Sequence, residues 1–513
     1  MSDRAEVTAH ATDQERARMT HDARRRAAVA PSTWVNPTPT GRYHLVVIGA
    51  GTAGLVAAAG AAGLGARVAL IERHEMGGDC LNVGCVPSKG VIAAARQWSA
   101  ARRAAQDFSG PRAAGDGDFG AVMDRMRRLR ADIAPIDGAE RFRGLGVDVS
   151  FGSASFTGPD EITVGAQRLR FRRAVIATGA RASAPAIPGL SDVPFLTNET
   201  LFDLTERPTH LIVLGGGPVG CEMAQAFAQL GTPVTLIERG ERLLPRDDAD
   251  AAAVVAHALT RDGVTLAMRS AVARIESVGS GVSVHLESSG QARAITGSHL
   301  LVAMGRAPNV EGLHLDRAGI AFTSAGVTVD DRLRTTNHRV FACGDICSPL
   351  KFTHAADFQA RTVIQNALFF GRKSSGSLVI PWATYTSPEV AQVGHTAESA
   401  RAAGVAIDSF TVPMTDVDRA ILDGDTEGFV RVHVKAGSDQ IVGATVVASH
   451  AGDVLAELTL CMTNGLGLGA IGATIHPYPT QGDAVRRCAD AWRKTKLTPM
   501  VRSLFATWFR WFS

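Results

Sequence analysis

Two copies of one stretch constrain this chain more than anything else in it. Residues 43–73 read YHLVVIGAGTAGLVAAAGAAGLGARVALIER, and residues 209–239 read THLIVLGGGPVGCEMAQAFAQLGTPVTLIER. Each runs apolar strand, glycine turn, small-residue helix, second strand, acid. The first copy has strands at Leu45–Ile48 and Val68–Ile71 and ends at Glu72; the second opens with Leu211–Leu214 and ends at Glu238. The first glycine of the turn and the acid stand 23 positions apart in both copies. An internal repeat of this length is a repeated folding unit. A dinucleotide needs a tight turn, close backbone approach to its pyrophosphate and a helix N-terminus facing its charge. Gly49, Gly51 and Gly54 supply that pattern in one copy, and Gly215, Gly217 and Gly220 in the other. Glu72 and Glu238 stand where a carboxylate accepts ribose hydroxyls. Two such units predict an electron relay, with FAD in one and NADH or NADPH in the other. Glu238 favours NADH, because a carboxylate repels a 2′-phosphate; Arg239 and Arg242 nearby leave NADPH open.

Composition narrows the rest. At 513 residues the chain suits two to four domains, and 45% apolar with 20% charged residues is ordinary for a soluble protein. A net charge of +3 forces no nucleic-acid partner. Seven cysteines are too few for a disulfide scaffold. No apolar run of signal-peptide type is present and no stretch is long enough to span a bilayer, so a cytoplasmic location is expected.

The expected architecture is α/β. It comprises two Rossmann-like FAD- and NAD(P)-binding domains and a C-terminal α+β domain. Residues 1–42 read as an extension, with a short helix and a Pro-rich strap that Trp34 pins to the body. The FAD-binding domain is assigned to 43–190 and 300–375, and the NAD(P)-binding domain to 191–299. From about Ile380, alternating stretches such as GFVRVHVKA predict an antiparallel sheet, giving a domain over 376–492. Residues 493–513 carry five basic residues and no acid. In that tail Leu497, Met500, Val501, Leu504, Phe505 and Trp508 keep helical spacing, followed by Phe509, Trp511 and Phe512. It reads either as an interfacial helix in peripheral contact with a membrane or as a helix folded onto its own dimer.

Just after the first repeat, residues 77–89 read GGDCLNVGCVPSK. Cys80 and Cys85 could be a zinc pair, a structural disulfide or a redox centre. Zinc needs two more ligands at short spacing, and no second cysteine cluster supplies them; Cys343 and Cys347 read as packing residues. A reducing compartment disfavours a structural disulfide. A dithiol that exchanges electrons fits best, and CVPSK as a helix start lowers the Cys85 thiol pKa. No resident metal is expected.

GGDCLNVGCVPSK, the two glycine turns, ATG at 177–179, GRAPN at 305–309 and CGD at 343–345 together resemble the class I flavoprotein disulfide reductases. These include lipoamide dehydrogenase, glutathione reductase and mercuric reductase. The resemblance implies that Gly49, Gly51, Gly54 and Glu72 hold the adenosine half of FAD. It also implies that Thr178, Gly179 and Gly305 line the cofactor sites and that Asp345 bonds the ribityl chain. Cys85 is then the thiol against the flavin and Cys80 the thiol that meets the acceptor. Lys89 sits by the flavin and pairs with Glu222, while Gly215, Gly217, Gly220 and Glu238 bind the nicotinamide nucleotide. Electrons pass from NAD(P)H through flavin to the cysteine pair and on to an acceptor. The C-terminal domain implies a homodimer, each subunit lending its last motif to the other's site.

That last motif departs from the lipoamide and glutathione reductase pattern, His-Pro-Thr-x-x-Glu. Residues 476–483 read HPYPTQGD. Aligned on Pro479-Thr480, Tyr478 takes the catalytic histidine's position and Asp483 the acid's, which is the favoured alignment. Aligned on His476-Pro477, the histidine is kept and the acid comes two residues late. Tyrosine, with a pKa near 10, is a poor base at neutral pH. Mercuric reductases also carry tyrosine there, so the chain resembles them most. No cysteine precedes Cys80 and Cys488 is single, where the best-known mercuric reductases carry extra cysteine pairs. Hg(II), other soft metal ions, quinones and reactive oxidants therefore stay open as acceptors. So do a lipoamide dehydrogenase-type activity using His476 and a diaphorase-like electron-transfer subunit held at a membrane by the tail.

Overall fold

The structure, a computed structural model, describes residues 13–110, 115, 117–288 and 291–512. The first twelve residues of the expected extension and Ser513 of the tail lie outside it.

Leu45, Val46, Val47 and Ile48 are apolar at successive positions, as a strand covered on both faces must be, and all four are buried. Their strand, Arg42–Ile48, lies inside a seven-stranded sheet between Val68–Glu72 and Gln167–Ile176. Val147–Phe151 extends the sheet beyond Val68–Glu72, and Val340–Ala342 pairs in parallel with Gln167–Ile176. The helix Thr52–Gly63 packs against the helix Thr353–Leu368. Gly60 permits the close approach: a Cβ there would lie 2.6 Å from Ile364 Cδ1.

The second repeat forms a separate four-stranded parallel sheet, in the order Val264–Ala267, Val234–Ile237, Leu211–Leu214, His299–Val302. A three-stranded antiparallel layer, 271–297, flanks it. The expected boundary after residue 299 is corrected here. It cuts through His299–Val302, whose residues pair one by one with Leu211–Leu214 and bury Leu300, Leu301 and Val302.

The C-terminal unit is a five-stranded antiparallel sheet, ordered Trp382–Thr384, Glu389–Gly394, Ile441–Ala448, Phe429–Lys435, Ile407–Pro413. The helix Ala451–Thr463 packs on two of its strands, and the helix Asp483–Thr495 on two others. That second helix crosses the expected boundary at 492/493. Its last turn holds Arg493 and Lys494, so the tail separates from the body only at Lys496. The helix Pro499–Trp511 follows.

The N-terminal helix Asp13–Val29 packs on the helix Phe119–Ile133. Its Arg25 is buried and binds Glu75 and, at 2.5 Å, Asn82 Oδ1. The strap behind it is fixed by Trp34 Nε1 donating to Val149 O at 3.1 Å and by Asn36, which exchanges two 2.8 Å bonds with Phe151.

Candidate redox site

The cysteine segment is laid directly on the first glycine turn. Gly77 N donates to Ala50 O at 2.8 Å. Gly78 (φ +56°) lies so near Gly51 that a Cβ would come within 2.6 Å of its Cα. Contact this close explains the paired glycines before Cys80. Cys80 then sits in the short helix Gly78–Asn82, and Cys85 is the first residue of the helix Cys85–Asp107.

Both cysteines are free thiols, Cys85 the more exposed. Cys85 is drawn down to about 6, first because the Cys80 thiol hydrogen-bonds to it. Burial opposes this, while the Thr353 hydroxyl, 3.4 Å away, and the charge of Lys89 reinforce it. Its place at a helix N-terminus acts in the same direction. Cys80 is pushed far up, because its proton is held against Cys85 and because the thiol is half-buried. One thiolate and one thiol is thus the resting charge state of the reduced pair.

One turn into the same helix, Lys89 Nζ lies 2.9 Å from Glu222 Oε2. It also stands over the Tyr385 ring at 4.5 Å. Glu222 is buried on the helix of the second repeat, and its other oxygen accepts from Tyr385 N at 3.0 Å. The structure therefore brings together Cys80, Cys85, Lys89 and Glu222, from three segments.

The two glycine turns match at the level of single hydrogen bonds. Gly49 (φ +99°) and Gly215 (φ +109°) both sit where a Cβ would strike backbone, Ala177 O at 2.4 Å and Ala303 O at 2.7 Å. A Cβ on Gly54 would lie 1.8 Å from Gly49 O, and one on Gly220 1.9 Å from Gly215 O. Glu72 accepts from Ala50 N at 2.8 Å and His74 N at 2.9 Å; Glu238 accepts from Gly216 N at 2.7 Å and Gly240 N at 2.6 Å. The middle glycines differ from the others: Gly217 has no atom within 4 Å of a Cβ, and Gly51 none nearer than 3.7 Å. They leave the first turn of each helix open, which is the space a pyrophosphate needs.

Further along, Gly179 and Gly305, both with positive φ, also face open space. Thr178 and Asn309 tie their loops together, Thr178 Oγ1 donating to Asn309 O and Asn309 Nδ2 to Thr178 O, each at 2.9 Å. Asp345 is raised by burial and steadied by Arg306 and Lys351. Arg306 pairs with Asp79, while its buried Nε lies 3.5 Å from Asp345 and makes no hydrogen bond among the described residues. An open glycine cradle, a helix terminus, a carboxylate at the end of the second strand and an unsatisfied buried donor beside Asp345 fit FAD.

The C-terminal loop places its residues differently. Tyr478 is 72% exposed, and its hydroxyl donates to Asp418 Oδ2 at 2.7 Å. That bond raises its pKa further. Asp483, in the acid position, is taken up by Arg486 at 2.8 Å and Arg487 at 2.5 Å. His476 Nε2 instead meets Glu457, at 2.9 and 3.1 Å, with Nδ1 3.1 Å from Thr474 O. The histidine thus has an acid partner, from the helix Ala451–Thr463 and not from its own loop.

Thr353, Glu457 and Tyr385 are the site residues that sequence reasoning missed. Thr353 and Tyr385 reach the cysteine site from distant segments, Glu457 reaches only His476, and none lies in a motif. Only the position of Thr353, eight residues past Asp345 at a helix start, offered a signal.

Comparison with known proteins gives two family matches. Residues 43–360 match "Pyridine nucleotide-disulphide oxidoreductase", and residues 380–489 match its dimerisation domain. The chain is 34% identical over 446 residues to a mercuric reductase from Bacillus cereus, covering 86% of this chain and 70% of that one. It is 34% identical to a dihydrolipoyl dehydrogenase from Thermus scotoductus, covering 88% of this chain and 98% of that one. Among solved structures, the HOCl-induced flavoprotein disulfide reductase RclA from Escherichia coli superposes with a TM-score of 0.78. It is 29% identical, with 87% of this chain and 99% of that one covered, and it has also been solved as a Cu(II) complex.

Proposed function

This chain belongs to the pyridine nucleotide-disulphide oxidoreductases, and on that footing we propose that it passes electrons from NAD(P)H through Cys80 and Cys85 to a thiophilic metal ion. As a family member it is a homodimeric oxidoreductase that uses FAD and NAD(P)H. Bound FAD supplies the two-electron relay between nicotinamide and the cysteine pair.

The chain's own residues do the rest. The turn from Gly49 to Gly54 and the following helix N-terminus hold the pyrophosphate of one nucleotide, with Glu72 on its ribose; Thr178, Gly179, Gly305 and Asp345 line the remainder. Gly215, Gly217, Gly220 and Glu238 do the same for the nicotinamide nucleotide. NADH is preferred over NADPH. Glu238 repels a 2′-phosphate, and Arg242 is already held by both oxygens of Glu398, each at 2.6 Å. Cys85 waits as the thiolate, kept charged first by the Cys80 thiol and then by Thr353 and Lys89. Cys80 keeps its proton until an acceptor arrives, then becomes the second sulfur ligand. Lys89 offsets the negative charge of the reduced pair, and Glu222 fixes its position.

The choice of acceptor rests on Tyr478. A disulfide substrate needs a proton delivered to its leaving thiolate, and a phenol with a raised pKa, engaged by Asp418, is a poor partner for that exchange. A soft metal ion needs two sulfur ligands; the proton that Cys80 releases on binding it passes to water, and no proton has to be delivered to a leaving group. The name mercuric reductase and the Cu(II) complex of RclA belong to relatives and lend support.

One observation favours a second reading. His476 with Glu457 is a histidine–carboxylate pair of the kind that performs acid–base work, and it would serve a dihydrolipoamide-type substrate. NADH oxidation with Hg(II), Cu(II) or lipoamide separates the two. On the metal reading His476→Ala leaves Hg(II)-dependent turnover within about threefold. On the disulfide reading it lowers lipoamide turnover by about 10²–10⁴-fold. Lipoamide turnover far above that with metals in the unaltered enzyme would overturn the metal reading.

A further inference from the structure

The helix Pro499–Trp511 stands apart from everything described so far. Thr498 caps it, its hydroxyl oxygen accepting from Val501 N at 3.4 Å, and Pro499 is its first residue. These are ordinary signals for a deliberate helix start. No residue of the helix is buried. At 100° per residue, Met500, Val501, Leu504, Phe505, Trp508, Phe509, Trp511 and Phe512 cover one half of its circumference. Arg502, Ser503, Ala506, Thr507 and Arg510 cover the other half. The apolar half faces solvent: Leu504 is 63% exposed, Trp508 59%, Phe509 66% and Trp511 85%. Among the described residues its one ring contact is internal, Trp508 on Phe512 at 4.6 Å. So large an apolar surface signals a missing partner.

Charge identifies the partner. From Arg493 onward the basic residues are Arg493, Lys494, Lys496, Arg502 and Arg510, with no acid. Thirteen residues are too few to span a bilayer, and no helix among the described residues is long and apolar enough to cross one. A short helix with aromatic rings on one face and arginines on the other matches the boundary between headgroups and acyl chains. The segment also lies beyond residue 489, where the dimerisation-domain match stops.

We propose that Pro499–Trp511 docks the enzyme on an anionic lipid bilayer, lying in the interface plane with Trp508, Phe509 and Trp511 among the acyl chains. Lys494, Lys496, Arg502 and Arg510 meet the phosphates. This proposal is independent of which acceptor the cysteines serve.

The test uses the full-chain holoenzyme and vesicles of phosphatidylglycerol and phosphatidylcholine. Co-sedimentation should exceed that with pure phosphatidylcholine by at least about tenfold, and Trp emission should shift to the blue on binding. Each basic residue removed, as in Arg502→Gln and Arg510→Gln, should weaken binding about fivefold. A chain ending at Lys496, and the paired substitution Leu504→Glu with Trp508→Glu, should stay in the supernatant and reduce acceptor at the unaltered rate. Equal partitioning of the full and shortened chains would overturn the proposal. So would a shortened chain that sediments as a monomer where the full chain is a dimer, since the helix would then be packed against a second copy.

Discussion

Thr353 lowers the Cys85 thiol pKa without carrying a charge. Of the groups that hold that thiol near 6, Cys80 acts most, then Thr353, then Lys89, against the opposing effect of burial. The sign follows from the depressed value: the thiolate is present above about pH 6 and is lost as pH falls through it. In the pre-reduced enzyme, alkylation of Cys85 by iodoacetamide should therefore rise with a midpoint near 6, where a free cysteine titrates near 8.5. Thr353→Val and Lys89→Met should each move the midpoint upward by about half to one pH unit. An unmoved midpoint in both would assign the effect to Cys80 and the helix terminus alone. The two cysteines were legible because glycine, proline and lysine surround them in one short motif. Thr353 was not, because a hydroxyl at a helix start has many ordinary uses and only tertiary packing brings it 3.4 Å from Cys85. His476 shows a different limit. Alignment within the loop offered two answers, and the histidine's acid came from Glu457, 19 positions upstream on another element.

Within elements, glycines of one helix have opposite expected effects. Gly54 has no room: its Cβ would lie 1.8 Å from Gly49 O. Gly54→Ala must push the helix off the turn and should sharply lower bound flavin per chain, read from the absorbance ratio of the purified protein. Gly63, at the end of the same helix, has nothing within 4 Å. Gly63→Ala should keep full flavin and gain about 0.5–1 kcal/mol from helix propensity. The N-terminal helix gives a third prediction. Arg25 is buried with Glu75 and Asn82, and Asn82 belongs to the Cys80 helix. Arg25→Met leaves the partly buried Glu75 with only the longer, exposed contact to Arg26 at 3.6 Å and Asn82 Oδ1 without its donor, and should cost about 2–3 kcal/mol, seen as a lower thermal midpoint. The repeat's strands were readable, Leu211–Leu214 to the residue and Val68–Glu72 to within one, while the first begins three residues earlier than its apolar run, at Arg42. Leu300, Leu301 and Val302 fall on the wrong side of the expected boundary, because a short apolar run does not say which sheet it joins.

At the scale of the molecule, the helix Cys85–Asp107, about 35 Å long at 1.5 Å per residue, touches all three units. Cys85 opens it beside Thr353 of the first unit, and Lys89 reaches Glu222 in the second. Arg96 then binds Glu389 at 3.1 Å, Tyr385 O at 3.1 Å and Thr386 O at 2.9 Å in the third. Arg96→Met should loosen the C-terminal unit by about 2–4 kcal/mol and raise its amide exchange while leaving flavin bound. Unchanged exchange there would mean that other bridges, such as Arg431 to Asp248, suffice. Of these bridges only Lys89–Glu222 was expected, through the family resemblance; the spacing of the residues pointed to none of them, since each joins residues more than a hundred positions apart. The insertion of the second unit into the first also sets a timetable. Ala174 pairs with Val340, and Asp345 follows only five residues later. A ribosome needs roughly 10–30 s to make the chain between those partners. Through that interval the edge at Ala174, Val175 and Ile176 has no neighbour, and the cradle has no Asp345. A nascent chain therefore cannot complete its flavin site until the second unit has been made, and cells short of ribosome-associated chaperone should feel that wait first.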